Sequence, residues 1–343
     1  MEQILNTLYV TTDHAYVHVD HQTLRVDIDG KTELQVPLMH LGSVVVFGNV
    51  LVSPKMIHRC TEDGREIVFL DRNGRFKGRV VGPTSGNVLL RQAQYAVAAD
   101  QQRTASIARN MVAGKIQNAR GVVQRAARDA GDEDDAAALR ACAKRMADIL
   151  PSLPQSEQLD QIRGLEGVAA RTYFGAFRRM VCSDREAFGL TGRNKRPPRD
   201  RINALLSFLY VLLLNDCTAA AEGVGLDPQV GYLHALRPGR AALALDLMEE
   251  FRAPLADRLA LTLVNRRQVR PQHFVERPGG AVHLDDDGRK QVVIAYQKRK
   301  QEAIHHQLLQ RKMPFGLAPH VQARLLARVL RGDMDEYVPA RCR

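Results

Sequence analysis

Through the N-terminal part of the chain, apolar positions come in short alternating or β-branched runs. Thr7–Thr11, Tyr16–Val19, Leu24–Ile28 and Thr32–Pro37 predict strands on this pattern. Asp29-Gly30, between the last two, is a hairpin-turn pair. Ser43–Phe47 is apolar without alternation, which predicts a strand in the core or one facing a partner, with the core the simpler reading. Ser53 followed by Pro54 predicts a capped short helix over Pro54–Arg59. Glu66–Leu70 and Arg75–Val81 predict two more strands joined across Asn73-Gly74, and Gly82-Pro83-Thr84-Ser85-Gly86 ends the pattern.

Beyond that break the spacing becomes helical and the chain is rich in Ala, Arg, Gln and Leu. Helices are predicted over Val88–Arg128, Glu133–Ile149, Glu157–Val181, Arg199–Gly223, Ala241–Arg252, Leu255–Asn265, Arg289–Leu309 and Pro319–Arg331. Linkers fall at Pro151–Pro154, Gly189–Pro198, Arg266–Gln272 and Met313–Pro319. The expected class is α+β: a small β domain over 1–86, then a larger all-helical domain over 87–343. No internal repeat or low-complexity tract is present.

Composition adds a partner to this picture. The chain has 343 residues, with hydrophobic residues at 45% and charged residues at 25%, enough apolar material for a real core. Lys and Arg number 49 against 38 Asp and Glu, a formal net charge of +11, and the pI is about 9.7. Such a surplus points to a polyanion, nucleic acid above all. Aromatic residues make up 5% and Trp is absent, which argues against a base-stacking single-strand binder and suits recognition of duplex shape and ends. The longest apolar run, Leu205–Leu214, has core-helix length, and no membrane partner is expected. The opening segment carries Glu2 and no basic region, so a signal peptide is not expected. Five cysteines, Cys60, Cys142, Cys182, Cys217 and Cys342, are scattered and never paired as CxxC, which fits a reducing cytoplasm and gives no zinc or disulfide framework.

Three segments carry candidate chemistry. In Gly164-Leu165-Glu166-Gly167 a lone acid stands between glycines inside a helical run, although a helix-interior glycine costs about 1 kcal/mol relative to alanine. The glycines suggest close approach of something to the backbone. Glu166, Ala170 and Tyr173 share one face, which can present a carboxylate to a metal; a surface Glu on a closely packed helix explains the same residues. Further on, His234 lies in a loop before a helix that carries Asp246, Glu249 and Glu250. Like charges at that spacing repel, and a divalent cation would relieve them; oxygen ligands with one imidazole suit Mg²⁺ or Mn²⁺. A satisfied loop histidine and a solvated acidic face remain open alternatives. Between the two lies a basic loop, Arg193, Lys195, Arg196, Arg199 and Arg201, before an apolar helix, able to clamp phosphates or simply to be solvated.

Taken in order, GLEGVAARTYF, FGLTGRNKRPPRDRINALLSFLY and GYLHALRPGRAALALDLMEEFR closely resemble CRISPR-associated protein one, the metal-dependent endonuclease and integrase of CRISPR adaptation. The resemblance covers most of the chain, including the KIQN element Lys115–Asn118 and the late stretch Gly288–Lys300, and its wording is similar to compact type I versions, subtype C among them. It implies that Glu166, His234 and Glu249 hold the Mg²⁺ or Mn²⁺ ion and that Asp246 supports them. Tyr173, Asn203 and the loop around Arg193–Arg201 line the site, and Lys298, Arg299 and Lys300 join in DNA contact unless they form a solvated face. It implies transesterification: the 3′-hydroxyl of a prespacer attacks a phosphodiester at the edge of a CRISPR repeat, with hydrolysis when water replaces that hydroxyl and disintegration of branched DNA by reversal. It also implies homodimers joined through the β domain, two of them flanking a dimer of CRISPR-associated protein two, with one active site per dimer performing each transfer. A non-enzymatic DNA-binding scaffold and a repair nuclease for branched DNA are the rival readings of the same residues.

Overall fold

Strand alternation in the first part of the chain folds as two four-stranded sheets. In this computed structural model the described residues are 7–72, 74, 76–82, 88–190, 192–194 and 197–342. Strands β1 (Thr7–Val10), β2 (Tyr16–Asp20), β3 (Thr23–Ile28), β4 (Lys31–Pro37), β5 (Ser43–Phe47) and β6 (Leu51–Val52) precede helix α1 (Pro54–Glu62), and β7 (Glu66–Leu70) and β8 (Phe76–Val80) follow it. One sheet has the order β1-β5-β7-β8 and the other β4-β3-β2-β6. Asp29 and Gly30 both take positive φ at the β3–β4 turn, as an Asp-Gly pair permits. Ser53 Oγ accepts from Met56 N at 3.1 Å and caps α1, with Pro54 in its first turn. The apolar strand β5 is core: Val44, Val45, Val46 and Phe47 are all 3% exposed or less, flanked by parallel β1 and β7. Asn73 of the expected turn, and residues 83–86 of the expected boundary, lie outside the described residues.

The chain then turns helical: α2 (Val88–Ala99), α3 (Gln101–Asp129), α4 (Glu133–Ile149), α5 (Leu159–Ala176), α6 (Arg201–Val224), α7 (Ala242–Phe251) and α8 (Arg258–Asn265). A hairpin of β9 (Phe274–Arg277) and β10 (Ala281–Leu284), helix α9 (Asp286–Gln301), a hairpin of β11 (Ala303–His306) and β12 (Arg311–Pro314), and helix α10 (Ala318–Arg331) complete it. The class is α+β. The chain divides into two compact units, one of Met1–Ser85 with Leu284–Gln301, the other of Gly86–His283 with Glu302–Arg343. The segment holding α9 thus groups with the first unit, which departs from one uninterrupted domain over 87–343.

Several helix boundaries differ from the spacing, each for a local reason. Val88–Arg128 is two helices, because Asp100 adopts an extended backbone and its carboxylate caps the amides of Gln102 and Arg103. The expected helix Arg289–Leu309 stops at Gln301, since residues 303–306 alternate exposed and buried and pair with 311–314 as strands. With two hairpins, the second part of the chain is not purely helical. Helices α7 and α8 are joined by a π-helical stretch, Arg252–Asp257, rather than separated. Helix α6 has the length and hydropathy of a membrane span, more than the run Leu205–Leu214 alone suggested. Its residues Leu205, Leu206, Leu209, Leu212 and Leu213 are buried against neighbouring helices, α7 and α10 among them, as a core helix requires.

Candidate active site

Helix α3 is the axle of the helical unit, packed against α2, α4, α5 and α7. Side chains from two of these helices meet one from α3 itself. Lys115 of α3 pairs with Glu166 of α5, and its Nζ lies 2.6 Å from Oε2 of Glu249 on α7. Glu249 is 2% exposed at its side chain, and its Oε2 makes no hydrogen bond of acceptable geometry. Its Oε1 lies 2.9 Å from Arg252 and 3.8 Å from Nε2 of His234. Burial alone would raise the Glu249 pKa, but the positive charges of Arg252 and Lys115, with His234, outweigh it and hold the carboxyl down to about 2.

His234 is placed by Asp246. That carboxylate, fully buried, accepts from the amides of Tyr232 at 2.5 Å, Leu233 at 2.9 Å and His234 at 2.9 Å, and from the imidazole Nδ1 of His234 at 2.6 Å. An ionised carboxylate only accepts, so Nδ1 carries a proton and Nε2 is left facing Glu249. The close wrap of loop on acid explains Gly231: a Cβ there would sit 2.5 Å from Asp246 Oδ2 and under 3 Å from the backbone of residues 242 and 243. Asp246→Asn turns an amide donor onto those N–H groups. It is expected to cost about 2–3 kcal/mol in chemical unfolding, the penalty of an unsatisfied buried polar group. A change within the surface-substitution range of about 0.5 kcal/mol would contradict this account.

The glycines beside Glu166 serve nothing inside the chain. Among the described residues a Cβ on Gly164 or Gly167 would meet no atom within 4 Å, so none of them makes the close approach suggested by the sequence. Among the described residues no three His, Cys, Asp or Glu side chains converge tightly enough to ligate an ion as they stand. Two of the predicted ligands, Glu166 and Glu249, converge instead on the ammonium of Lys115, while His234 lies 3.8 Å from Glu249 Oε1. A buried carboxylate oxygen whose near partner is an ammonium, and an imidazole nitrogen facing away from its acid partner, are the donors a hard divalent cation takes, so the residues fit such an ion. A cavity of about 30 Å³, room for a water, opens beside them among Lys115, Tyr173, Tyr210, Glu249, Arg252 and Asp257.

The other predicted residues divide. Tyr173 and Asn203 are buried, and both are fully engaged inside the protein. Tyr173 donates to Asp257 at 3.0 Å, and Asn203 Oδ1 accepts from Arg193 while its Nδ2 donates to Gly192 O and Asp200. Arg193 turns inward as well, 5.2 Å from the centroid of the Tyr210 ring, with Arg252 at 4.8 Å from the same ring. Arg199 is exposed; Lys195 and Arg196 lie outside the described residues. On α9, Lys298 is exposed and Arg299 half-buried, whereas Lys300 is buried with its ammonium 5.6 Å from the Tyr296 ring, so the late basic run is not one exposed face. Sequence reasoning named Lys115 without a role and missed Arg252. The position of Arg252, three residues after Glu249 on the same helical path, was the available signal for the second.

Residues 8–298 match the family described as CRISPR associated protein Cas1. The chain belongs to the Cas1 family. It is 61% identical over 339 residues to the CRISPR-associated endonuclease Cas1 1 of Moorella thermoacetica, covering 99% of each chain, and this places it among the Cas1 endonucleases. In fold it is similar to a casposase bound to integration product, with a TM-score of 0.84 at 20% identity, covering 97% of this chain and 93% of that one. It is also similar to a chain of a Cas6-RT-Cas1–Cas2 complex, with a TM-score of 0.83 at 23% identity, covering 99% of this chain and 36% of that one. The Cas1 fold thus accounts for the whole length of the sequence pattern, strands and helices alike.

Proposed function

We propose that the chain is a metal-dependent DNA endonuclease and integrase that joins the 3′-hydroxyl ends of prespacer DNA to phosphodiesters of a CRISPR repeat. The observation that carries this reading is the convergence of Glu166 and Glu249 on one cationic position, with the imidazole of His234, held by Asp246, 3.8 Å from the other oxygen of Glu249. Glu166, His234 Nε2 and Glu249 would hold Mg²⁺ or Mn²⁺, which supplies neutralisation of the charge that builds on the phosphoryl oxygens. In the transfer one P–O bond forms from the incoming 3′-oxygen as another breaks, so the step exchanges one phosphodiester for another and needs no energy source.

The chain's own residues do the rest. Asp246 keeps the imidazole proton on Nδ1 and the ring in one orientation. Arg252 and Lys115 keep Glu249 ionised in a buried setting. Arg199 and Lys298, both exposed, are the side chains proposed to meet DNA phosphates, with Lys195 and Arg196 of the same loop as Arg199. Arg193, Tyr173 and Asn203 act indirectly, by holding the loop and the helix ends behind the carboxylates. A homodimer joined through the β domain and an assembly with CRISPR-associated protein two are proposed as the working form. The membership in the Cas1 family and the fold shared with a Cas1–Cas2 complex support this. The five free cysteines and a DNA substrate suit work in the cytoplasm.

The test is Mg²⁺- or Mn²⁺-dependent transfer of a short duplex into a repeat-bearing plasmid, with and without the partner protein. Product is expected from the wild type and not from Glu166→Ala or His234→Ala; unchanged product from either variant sinks the reading. DNA affinity is expected to fall steeply with salt, and a salt-insensitive affinity would count against phosphate recognition.

A further inference from the structure

We infer that Lys115 is a built-in competitor for the metal: its ammonium holds Glu166 and Glu249 together in the metal-free protein and leaves them when DNA arrives. The inference rests on the reading of those two carboxylates as metal ligands and goes beyond it, since it assigns a role to a residue that is not a ligand.

The two carboxylates already have cationic partners without an ion. Glu166 and Glu249 face Lys115 and Arg252, two negative groups against two positive ones. Asp246 is a further carboxylate, but its oxygens face three amides and the imidazole of His234 rather than the ammonium. A divalent cation placed among these groups would face the ammonium across the same carboxylates, and a doubly charged ion repels an ammonium twice as strongly as a second unit charge at the same place would. The ion and the ammonium therefore exclude each other from the carboxylate pair. Arg252 cannot be the group that yields: it lies 2.9 Å from Glu249 Oε1 on the same helical path, and its guanidinium sits over the Tyr210 ring. Lys115 can yield. Its side chain is partly exposed, it ends in a point charge on a flexible four-carbon stem, and it lines the water-sized cavity beside Glu249.

A displaced ammonium needs a new negative partner, and the DNA backbone supplies one. A phosphodiester entering the site gives Lys115 an oxygen to pair with and gives the cation another ligand. Metal and DNA then bind cooperatively, and the protein without DNA holds the ion weakly. By linkage, each tightens the other by the same factor. The device keeps the nuclease from being loaded with metal in the absence of its substrate.

Mn²⁺ binding to the full chain, followed by electron paramagnetic resonance of the free ion, tests this. It is measured without DNA and with a short branched duplex, corrected for the duplex alone. Wild-type protein is expected to bind Mn²⁺ about tenfold or more tighter with duplex, within the range of linked sites. Lys115→Gln is expected to bind Mn²⁺ about tenfold tighter than the wild type without DNA, to lose most of the tightening by duplex, and to cleave more slowly at saturating metal. A merely structural lysine would lose metal affinity and activity together. Lys115→Arg keeps the charge and is expected to stay weak without DNA. A Lys115→Gln protein that binds Mn²⁺ no tighter than the wild type overturns the inference. So does wild-type protein with equal affinity in both conditions, a result that needs no variant to fold. Glu166→Ala runs in the same titration: binding equal to the wild type would defeat the ligand assignment itself, whereas lost binding there with no gain in Lys115→Gln defeats only the role of Lys115.

Discussion

Glu249→Gln is expected to fold and to lose cleavage and strand transfer by about a thousandfold or more, the loss that several kcal/mol of transition-state stabilisation represents. The substitution preserves shape and a carbonyl oxygen for Arg252, and Lys115 keeps Glu166, so neither cation is left without an acceptor. What disappears is the negative charge that a hard cation requires at the innermost position of the site. Single-turnover cleavage of a branched duplex in Mn²⁺, beside a thermal melt that shows an intact fold, is the measurement. Residual activity above about a tenth of the wild type would mean the ion is held elsewhere, since a tenfold change corresponds to only about 1.4 kcal/mol. The neighbour one residue on is predicted to behave quite differently.

Glu250 points away from the site, into the packing of the last residues. It is fully buried, and accepts from Tyr337 OH at 2.5 Å, the Ala340 amide at 2.6 Å and Gln322 Nε2 at 3.2 Å. Burial pushes its pKa from 4.5 up to about 8, against the pull of those three hydrogen bonds. The folded protein therefore keeps a proton that the unfolded chain releases above 4.5. Stability from this group is complete below that value and is lost as pH rises through about 8, a fall on the order of 4–5 kcal/mol across the window. Unfolding free energy measured between pH 5 and 9 should decline accordingly in the wild type and flatten in Glu250→Gln, which cannot ionise. Parallel pH profiles for the two proteins would refute the assignment. Glu250→Ala should be worse at every pH, since it strands the Tyr337 hydroxyl and the Ala340 amide in a new cavity, at about 3–5 kcal/mol.

Much of the architecture was legible because its signals are local. Alternation marked the strands, Asp29-Gly30 marked its hairpin, and Ser53-Pro54 marked the start of α1 to the residue. Asp100, an N-cap residue inside an apparently continuous helix, was a readable stop that the surrounding periodicity masked. The strand pair at 303–314 was not readable, because four-residue strands lie below the length at which a period of two separates from helical spacing. In the site, the choice of Glu249 over Asp246 and Glu250 came from family resemblance. In the structure Asp246 spends its oxygens on the 232–234 loop and Glu250 spends its own on the C-terminal segment, whereas Glu249 faces Lys115, Arg252 and His234. The part played by Lys115 was out of reach, since its partners lie 51 and 134 residues further along the chain. Arg193 and Asn203 read as DNA contacts for the converse reason: a sequence shows that a loop is basic, not that its first arginine folds inward onto Tyr210.

One turn of α3 carries both Lys115 and Asn118. Asn118 Nδ2 donates to the carbonyls of Glu250 and Ala340 at 2.8 Å each, its Oδ1 accepts from the Cys342 amide, and Gly114, a residue earlier than the lysine, leaves the gap into which Pro339 fits. The nuclease centre and the end of the chain are therefore fastened to the same few residues. Warming that frays 337–342 would loosen the backbone of Glu250, and with it the adjoining carboxylate, well before the helical unit melts. Catalysis would then fade with temperature ahead of global unfolding, and the working range of the enzyme would be set by the hold of residues 337–342 on α3 and Glu250.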